Sequence, residues 1–477
     1  MLNLHNTISG RKEPFTPLES GKASYYSCGP TVYNYVHIGN LRTYIFTDIL
    51  RRTLLAHGYD VTHVMNITDV GHLTSDADAG EDKMMLSVAR EGKTAWEIAD
   101  FYTAAFKENI ADLNILEPSI WCKATDHIPE QIALIQQLEK RGFAYVAGGN
   151  VYFDTARFPA YGALTRRSSV GEAVNRVDED PQKRNSADFA LWFTKSKFGE
   201  QDMRWESPWG VGYPGWHIEC SAMSVRYLGQ PFDIHSGGID HIPVHHTNEI
   251  AQSEAATGIP LARYWLHGEF LVLDTKRMGK SEGNFITLAT LKEKGIDPLA
   301  YRYFTTSAHY RQQLTFTWDA LAAAAEGYRN LCATVSRIRL KSEGGDHAQA
   351  SFAVPHCTVF KKEFMDAVDD DLNIPQALAR LHEFTAQVNR TGETFTPHDH
   401  AAILKSILDA DKIFGLRLDE RSQRQALPQK IEVLLTDRSR ARSEQRWSDA
   451  DTIRKKIEDA GYRIEDNGDD STAFPNN

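Results

Sequence analysis

Residues 26–40 read Y-S-C-G-P-T-V-Y-N-Y-V-H-I-G-N, and the reading of that stretch decides the fold. A short apolar run ends on Cys28, and a histidine–glycine turn follows at His37 and Gly39. Leu41, Ile45, Ile49, Leu50 and Leu54 then recur at helical spacing until His57-Gly58. A second apolar run occupies Val61 to Ile67. Strand, turn, helix and strand in that order open an α/β fold with a parallel nucleotide-binding sheet. At the turn, Gly39 lets a ligand approach the backbone. The amides that a helix start near Asn40 leaves unbonded would seat a phosphate, and His37 and Asn40 would add donors. Alone, such a turn is an ordinary loop, so its meaning depends on partners elsewhere in the chain.

Composition narrows the class. The 477 residues are 42% hydrophobic and 25% charged, as expected of a soluble protein of two to four domains. The start M-L-N-L-H-N-T has no signal-peptide pattern, and no apolar run reaches membrane-spanning length. Five scattered cysteines argue for a reducing, cytoplasmic setting rather than a disulfide framework. A net charge of −11 argues against nonspecific coating of nucleic acid, though not against a local basic surface for one RNA.

Along the chain, N-I-T-D at 66–69 leads into a loop with Asp76, Asp78, Glu81 and Asp82, whose spacing does not fit an EF-hand. Residues 84–145 read as helices, and 148–215 as short strands with aromatics, Gly and Pro. The catalytic α/β region is therefore placed at 1–305, with an insertion at about 115–215. A helical segment at 306–345 and a helical bundle at 346–416 follow. A small α/β unit is expected at 430–477, with linkers at 341–355 and 417–429 and a frayed last ten residues.

Two constellations carry chemistry. Besides Cys28, W-H-I-E-C ends at Cys220, and H-H-T-N-E puts His245 and Glu249 one helical turn apart on one face. Two thiolates, an imidazole and a carboxylate suit Zn²⁺, although His235, His241 and His246 compete for the histidine role. Ligands so far apart in sequence point to a catalytic or substrate-binding site assembled from strand and helix ends. The second constellation is D-T-K-R-M-G-K-S-E-G-N at 274–284, a cationic glycine- and serine-containing loop suited to closing over phosphates.

Together, H-I-G-N and R-M-G-K-S resemble the paired signatures of class I aminoacyl-tRNA synthetases. With C-G-P-T-V-Y, N-I-T-D, P-G-W-H-I-E-C-S-A-M, H-S-G-G-I-D and H-H-T-N-E-I-A-Q, the chain is similar to the cysteinyl-tRNA synthetase family from about residue 20 to about 465. The resemblance implies a Rossmann-like catalytic domain, an anticodon-binding helical bundle and a small C-terminal unit. It implies Cys28, Cys220, His245 and Glu249 as ligands of one zinc ion, and His37, Asn40 and Lys280 as catalytic groups. Gly39, Gly238, Asp240, Lys280 and Ser281 would contact ATP and its Mg²⁺, and Thr68 and Trp216 would line the cysteine pocket.

The implied reaction activates L-cysteine as its adenylate and transfers it to tRNA(Cys), in a monomer. Arg277, Gly279 and Asn40 depart from the family's usual signature residues, Thr247 from its metal helix, and S-T-A-F from its usual tryptophan ending. A tRNA-independent ligase that passes cysteine to a small amine, as in mycothiol synthesis, would share the adenylation site but lack the full C-terminal region. A non-catalytic RNA-binding paralogue would have eroded signatures, whereas His37, Lys280 and the four zinc positions are intact. In the C-terminal unit, Arg438, Arg442 and Arg446 form either an RNA-contacting stripe or a solvated face.

Overall fold

The computed structural model describes all residues except 72–82, 166–179, 196–201, 274–275, 278–284, 344–352, 392–394, 424–426, 468–469 and 476–477. Strands β1 (Lys22–Ser27), β2 (Asp60–Ile67), β3 (Ile120–Lys123), β4 (Phe232–Gly238) and β5 (Ala262–Gly268) form one sheet. All neighbours are parallel, in the spatial order β5-β4-β1-β2-β3. Every residue of β4 is buried, the pattern of a strand covered on both faces.

After a hairpin of Asn3–Asn6 with Arg11–Pro14, the chain enters the sheet at β1, steps outward through β2 and β3, and returns on the other side of β1 as β4 and β5. The order therefore reverses between β1 and β4, and the crevice outside their carboxyl ends is where α/β sheets take ligands. Cys28 follows β1 at that point, and Gly238 ends β4 there.

Helix α1 (Ile38–Ala56) leaves the same crevice and packs across the sheet. Two further helices flank the crevice, α2 (Trp216–Leu228) and α3 (His245–Thr257), packed on each other. The insertion builds a four-stranded antiparallel sheet from Ala144–Ala147, Asn150–Phe153, Phe189–Phe193 and Tyr213–Pro214. Its last strand passes directly into α2 through Gly215, where a β-carbon would fall 2.1 Å from the Ala190 carbonyl oxygen. Only glycine fits that close approach, and it fixes where Trp216 begins.

Beyond the sheet, α4 (Pro298–Thr305), α5 (Trp318–Ser342), α6 (Val354–Asp369), α7 (Ile374–Thr391) and α8 (Pro397–Phe414) follow. Their apolar faces share one continuous core with the sheet, from Tyr25 and Ile234 to Leu299, Phe364 and Phe414. The terminal unit has its own small core of Ile431, Ile457, Ile464 and Ala473. It consists of α9 (Gln429–Ser443), α10 (Trp447–Asp459) and a hairpin of Tyr462–Asn467 with Asp470–Pro475.

Four readings of the sequence are corrected here. Ile120–Lys123, read as part of a helical stretch and of the insertion, is the edge strand of the central sheet; I-W-C-K is too short to show a period. The last residues are not frayed at 470–475, because that strand pairs with its neighbour and sends Ala473 into the small core. The expected linker at 417–429 contains a short helix, Leu418–Ser422. Arg438 is no open RNA contact: it is buried and bonds to Asp466, which Arg442 also meets at 2.6 Å.

Candidate active site and metal-ligand cluster

The cleft at the sheet reversal has a volume of about 620 Å³. Of the residues singled out from sequence, Cys28, His37, Asn40, Thr68, Trp216, Cys220, Gly238, Asp240 and His245 line it. Glu249 lies fully buried beneath, and Gly39 sits in the first turn of α1. Lys280 and Ser281 lie outside the described residues, as does the acidic loop around Asp76.

Each wall has a local cause. Gly29 lets the turn after β1 press on β2, since a β-carbon there would lie 1.7 Å from the Asn66 carbonyl oxygen. The Gly29 amide donates to Asn66 Oδ1 at 2.8 Å, and Asn66 Nδ2 donates to Thr68 Oγ1 at 3.0 Å. Thr68 in turn donates to Glu219 Oε2 at 3.3 Å. Cys28 and Thr68, both lining the cleft, are thereby tied to one another. At the end of β4, a β-carbon on Gly238 would lie 2.3 Å from Asp240 Oδ1, so glycine is what allows that carboxylate to fold back.

His37 caps α1 in a way the sequence did not disclose. Its Nδ1 accepts the Asn40 amide at 3.1 Å, and Asn40 Oδ1 accepts the His37 amide at 3.2 Å. A backbone amide can only donate, so Nδ1 is the acceptor and the neutral ring carries its proton on Nε2. The expectation of open amides here is corrected in part. Asn40 N–H is consumed by the cap, and the Ile38 amide donates to the Ile286 carbonyl at 2.9 Å. The Gly39 amide is spent on neither of these bonds, so anion contact at this rim falls to it and to side-chain donors.

At the floor, ligand atoms of Cys28, Cys220, His245 and Glu249 all lie within 4.8 Å of one another and are buried. A second set, Cys28, His235, His246 and Glu249, overlaps it. Cys220 and His245 border the cleft, whereas His235 and His246 are fully buried behind it. There, Nε2 of His235 meets Glu249 Oε2 at 2.9 Å, and Nδ1 of His246 meets His267 Nε2 at 2.8 Å. The second pair of histidines thus reads as support for the first set, the usual arrangement around metal ligands.

The donor set fits a metal on two counts. Glu249 Oε1 is buried and accepts no hydrogen bond among the described residues, with His245 Nε2 3.0 Å away. Two sulfurs, one imidazole nitrogen and one carboxylate oxygen are also the chemistry of a zinc site.

The charges are arranged accordingly. Hydrogen bonding from the Cys28 thiol, with His245 nearby, brings Cys220 down to about 6 despite burial. Burial and the neighbouring Cys220 push Cys28 the other way. Burial opposes charge on His245, but Glu249 and Cys220 outweigh it and raise the ring to about 10. Burial likewise opposes ionisation of Glu249, and His235 and His245 overcome it.

Sequence reasoning missed His217 and Glu219, both inside W-H-I-E-C beside the thiol that drew attention. His217 Nδ1 meets His245 Nδ1 at 2.9 Å, and Trp216 stacks on His245 with ring centres 4.4 Å apart. One signal was available: Glu219 and Cys220 follow His217 on the helix that delivers the cleft wall.

Comparison with known proteins agrees with this architecture. Solved structures with the same fold include methionyl-tRNA synthetase of Mycobacterium tuberculosis bound to methionyl-adenylate. It is 15% identical with a TM-score of 0.58, covering 84% of this chain and 91% of that one. A second is LeuRS of Agrobacterium radiobacter, seen in a ternary complex with tRNA and LeuAMS. It is 12% identical with a TM-score of 0.62, covering 87% and 86%. Residues 14–326 match the model of the tRNA synthetases class I (C) catalytic domain, which sets the class. Residues 363–419 match the DALR domain, and 424–472 the cysteinyl-tRNA ligase anticodon binding domain.

The cysteine–tRNA ligase of Treponema denticola is 46% identical over 99% of both chains. Cysteine–tRNA ligase 1 of Burkholderia lata is 47% identical over 99% of this chain and 97% of that one. The chain belongs to the cysteine–tRNA ligase family.

Proposed function

We propose that this chain is a cysteine–tRNA ligase whose cysteine side chain is read at the Cys28–Cys220–His245–Glu249 cluster. It takes L-cysteine, ATP with Mg²⁺, and tRNA(Cys). The cysteine carboxylate attacks the α-phosphorus of ATP and pyrophosphate leaves. The terminal adenosine hydroxyl of the tRNA then attacks the adenylate carbonyl and releases AMP. The single observation that carries the reading is the convergence of two thiols, an imidazole and a carboxylate on the floor of a cleft whose rim is the His37-capped helix.

Bound to these four residues, Zn²⁺ supplies a soft Lewis-acid position that accepts a thiolate far better than a hydroxyl, separating cysteine from serine where an apolar pocket could not. The protein's own groups do the rest. Trp216 stacks on His245 and keeps that ring facing the cleft, which Thr68 also lines. The Nε2–H of His37 and the side-chain Nδ2 of Asn40 act as donors toward the triphosphate, where charge grows as pyrophosphate leaves. Lys280 adds a cation to the same charge, and Ser281 lies beside it in the second signature. Gly238 and Asp240 hold the adenosine.

No helix among the described residues is long and apolar enough to cross a membrane. We place the enzyme in the cytoplasm as a monomer.

The test is charging of a tRNA bearing the GCA anticodon with labelled cysteine, ATP and Mg²⁺. Charging is the expected result. Cysteine-dependent ATP–pyrophosphate exchange without charging would instead assign the adenylate to a small amine acceptor.

A further inference from the structure

The helical region and the first turns of α1 grip the same loop, residues 309–312, through hydrogen bonds from opposite sides. On the helical side the grip begins at Asp371, in the turn between α6 and α7. Asp371 and Leu372 have φ of 60° and 54°, the left-handed region that residues with a β-carbon rarely occupy. Two in succession are held only where surrounding contacts fix them. The Asp371 carboxylate supplies those contacts and is fully buried. Its Oδ1 accepts the Tyr310 hydroxyl at 2.7 Å and the His5 amide at 2.8 Å, and its Oδ2 accepts Arg311 Nε at 2.8 Å.

The loop gripped in this way is the one that holds α1. Arg42, five positions after His37 and buried, donates Nη2 to the His309 carbonyl at 3.2 Å and the Gln312 carbonyl at 2.6 Å. Its Nη1 donates to the Glu269 carbonyl at 2.9 Å and the Phe270 carbonyl at 2.6 Å. Those two residues precede the strand Leu271–Leu273 that leads toward the second signature. One turn further along α1, Phe46 stacks face to face on Tyr310, 4.3 Å between centres. Arg42 is thus the joint of three pieces: the signature helix, the approach to the second signature, and the 309–312 loop.

We infer that Asp371 is a positioning residue for adenylation, acting through Tyr310 and Arg42 to hold the first turn of α1, and with it His37, in register with the triphosphate. The helical region then contributes to a chemical step in which tRNA takes no part. This inference rests on the ligase reading above.

The experiment is cysteine-dependent ATP–pyrophosphate exchange by the full chain without RNA. Wild-type enzyme is compared with Asp371→Asn, Tyr310→Phe, Arg42→Lys and the Asp371→Asn/Arg42→Lys double variant. Absence of exchange in the wild type would count against the ligase reading itself, separately from the relay. Given wild-type exchange, Asp371→Asn is expected to lower kcat by about tenfold, since small misplacements of reacting groups have large kinetic effects. KM for ATP and for cysteine should stay within about twofold, the signature of an interaction felt in the transition state. Tyr310→Phe, which removes one hydroxyl and keeps the stacked ring, should lower kcat in the same direction by about threefold.

The double variant should be no slower than the slower single variant, because serial links do not add. A structural role alone would lower the melting temperature and leave the kcat of the folded enzyme unchanged. That outcome, or additive effects of the two substitutions, would overturn the proposal. If Asp371→Asn does not fold, Tyr310→Phe decides: unchanged kcat in that variant refutes the relay.

Discussion

His217 and His245 face each other through their Nδ1 atoms, 2.9 Å apart and buried. Only one hydrogen fits between them, so one ring donates and the other accepts. If His245 is to offer the Nε2 lone pair beside Glu249, its own proton must sit on Nδ1 and point at His217. His217→Phe keeps the ring volume and removes that acceptor. Zinc affinity is expected to fall by roughly 10- to 100-fold, the usual range for an outer partner of a ligating histidine. Competition against a chromogenic chelator measures it; unaltered affinity would take His217 out of the site.

The cluster also predicts what metal removal does. Chelation should abolish cysteine-dependent exchange, and added zinc should restore it. Cys220→Ser should lose at least about 100-fold in exchange, more than an outer-shell change produces, with its circular dichroism unchanged. Exchange at the wild-type rate in that variant would assign cysteine recognition to other groups.

Gly29 makes a prediction about packing. A β-carbon at that position would overlap the Asn66 carbonyl oxygen, a backbone atom that cannot swing aside. Gly29→Ala should destabilise the protein by about 1–3 kcal/mol, as forced overpacking does. It should also weaken zinc binding, because the displaced residue adjoins Cys28. Denaturant melts with and without zinc separate the two effects.

Asp48 carries the fourth prediction. It sits on α1, fully buried, 2.5 Å from Arg302 and 2.7 Å from Arg52. Those guanidiniums also hold the Phe414 and Lys412 carbonyls of the helical region. Asp48→Asn would leave two buried cations uncompensated, at about 3–5 kcal/mol. Burial by itself would raise the Asp48 pKa, but Arg302 and Arg52 outweigh it and the net shift is downward. A lowered pKa stabilises the fold above the unfolded value of about 3.9, and the benefit fades as pH falls through the folded one. The wild type should therefore lose this contribution only below about pH 4. Urea midpoints across that range should fall for the wild type more steeply than for Asp48→Asn.

Much of the fold was legible because it is periodic. The apolar run before Cys28, the helix from Leu41 and the run at Val61 have clear spacing, and they became β1, α1 and β2. Ile120–Lys123 was not legible, since four residues cannot display a period and the pairing that defines them comes from β2. The metal-ligating residue types could be picked out, but the choice among His235, His241, His245 and His246 could not. That choice depends on which ring nitrogens approach the thiols and the carboxylate and on which of those rings border the cleft, a matter of tertiary placement. Arg438 shows the same limit from the other side: its spacing fits a basic stripe, yet Asp466 folds over it. Asp371 gave no sign at all, because a buried aspartate in a turn reads like any solvated one.

The separation of the four donors along the chain has a consequence for biosynthesis. Cys28 leaves the ribosome about 190 residues before Cys220 exists, and His245 and Glu249 come later still. A lone thiol holds zinc weakly, so the ion cannot template the early chain as it does in a finger whose ligands are near neighbours. The chelate arises only when α2 and α3 have docked against the end of β1, a contact of high sequence separation and slow formation. On the proposed zinc reading, loading would be a late event in maturation, and a nascent chain stalled before residue 249 would be unable to retain the ion.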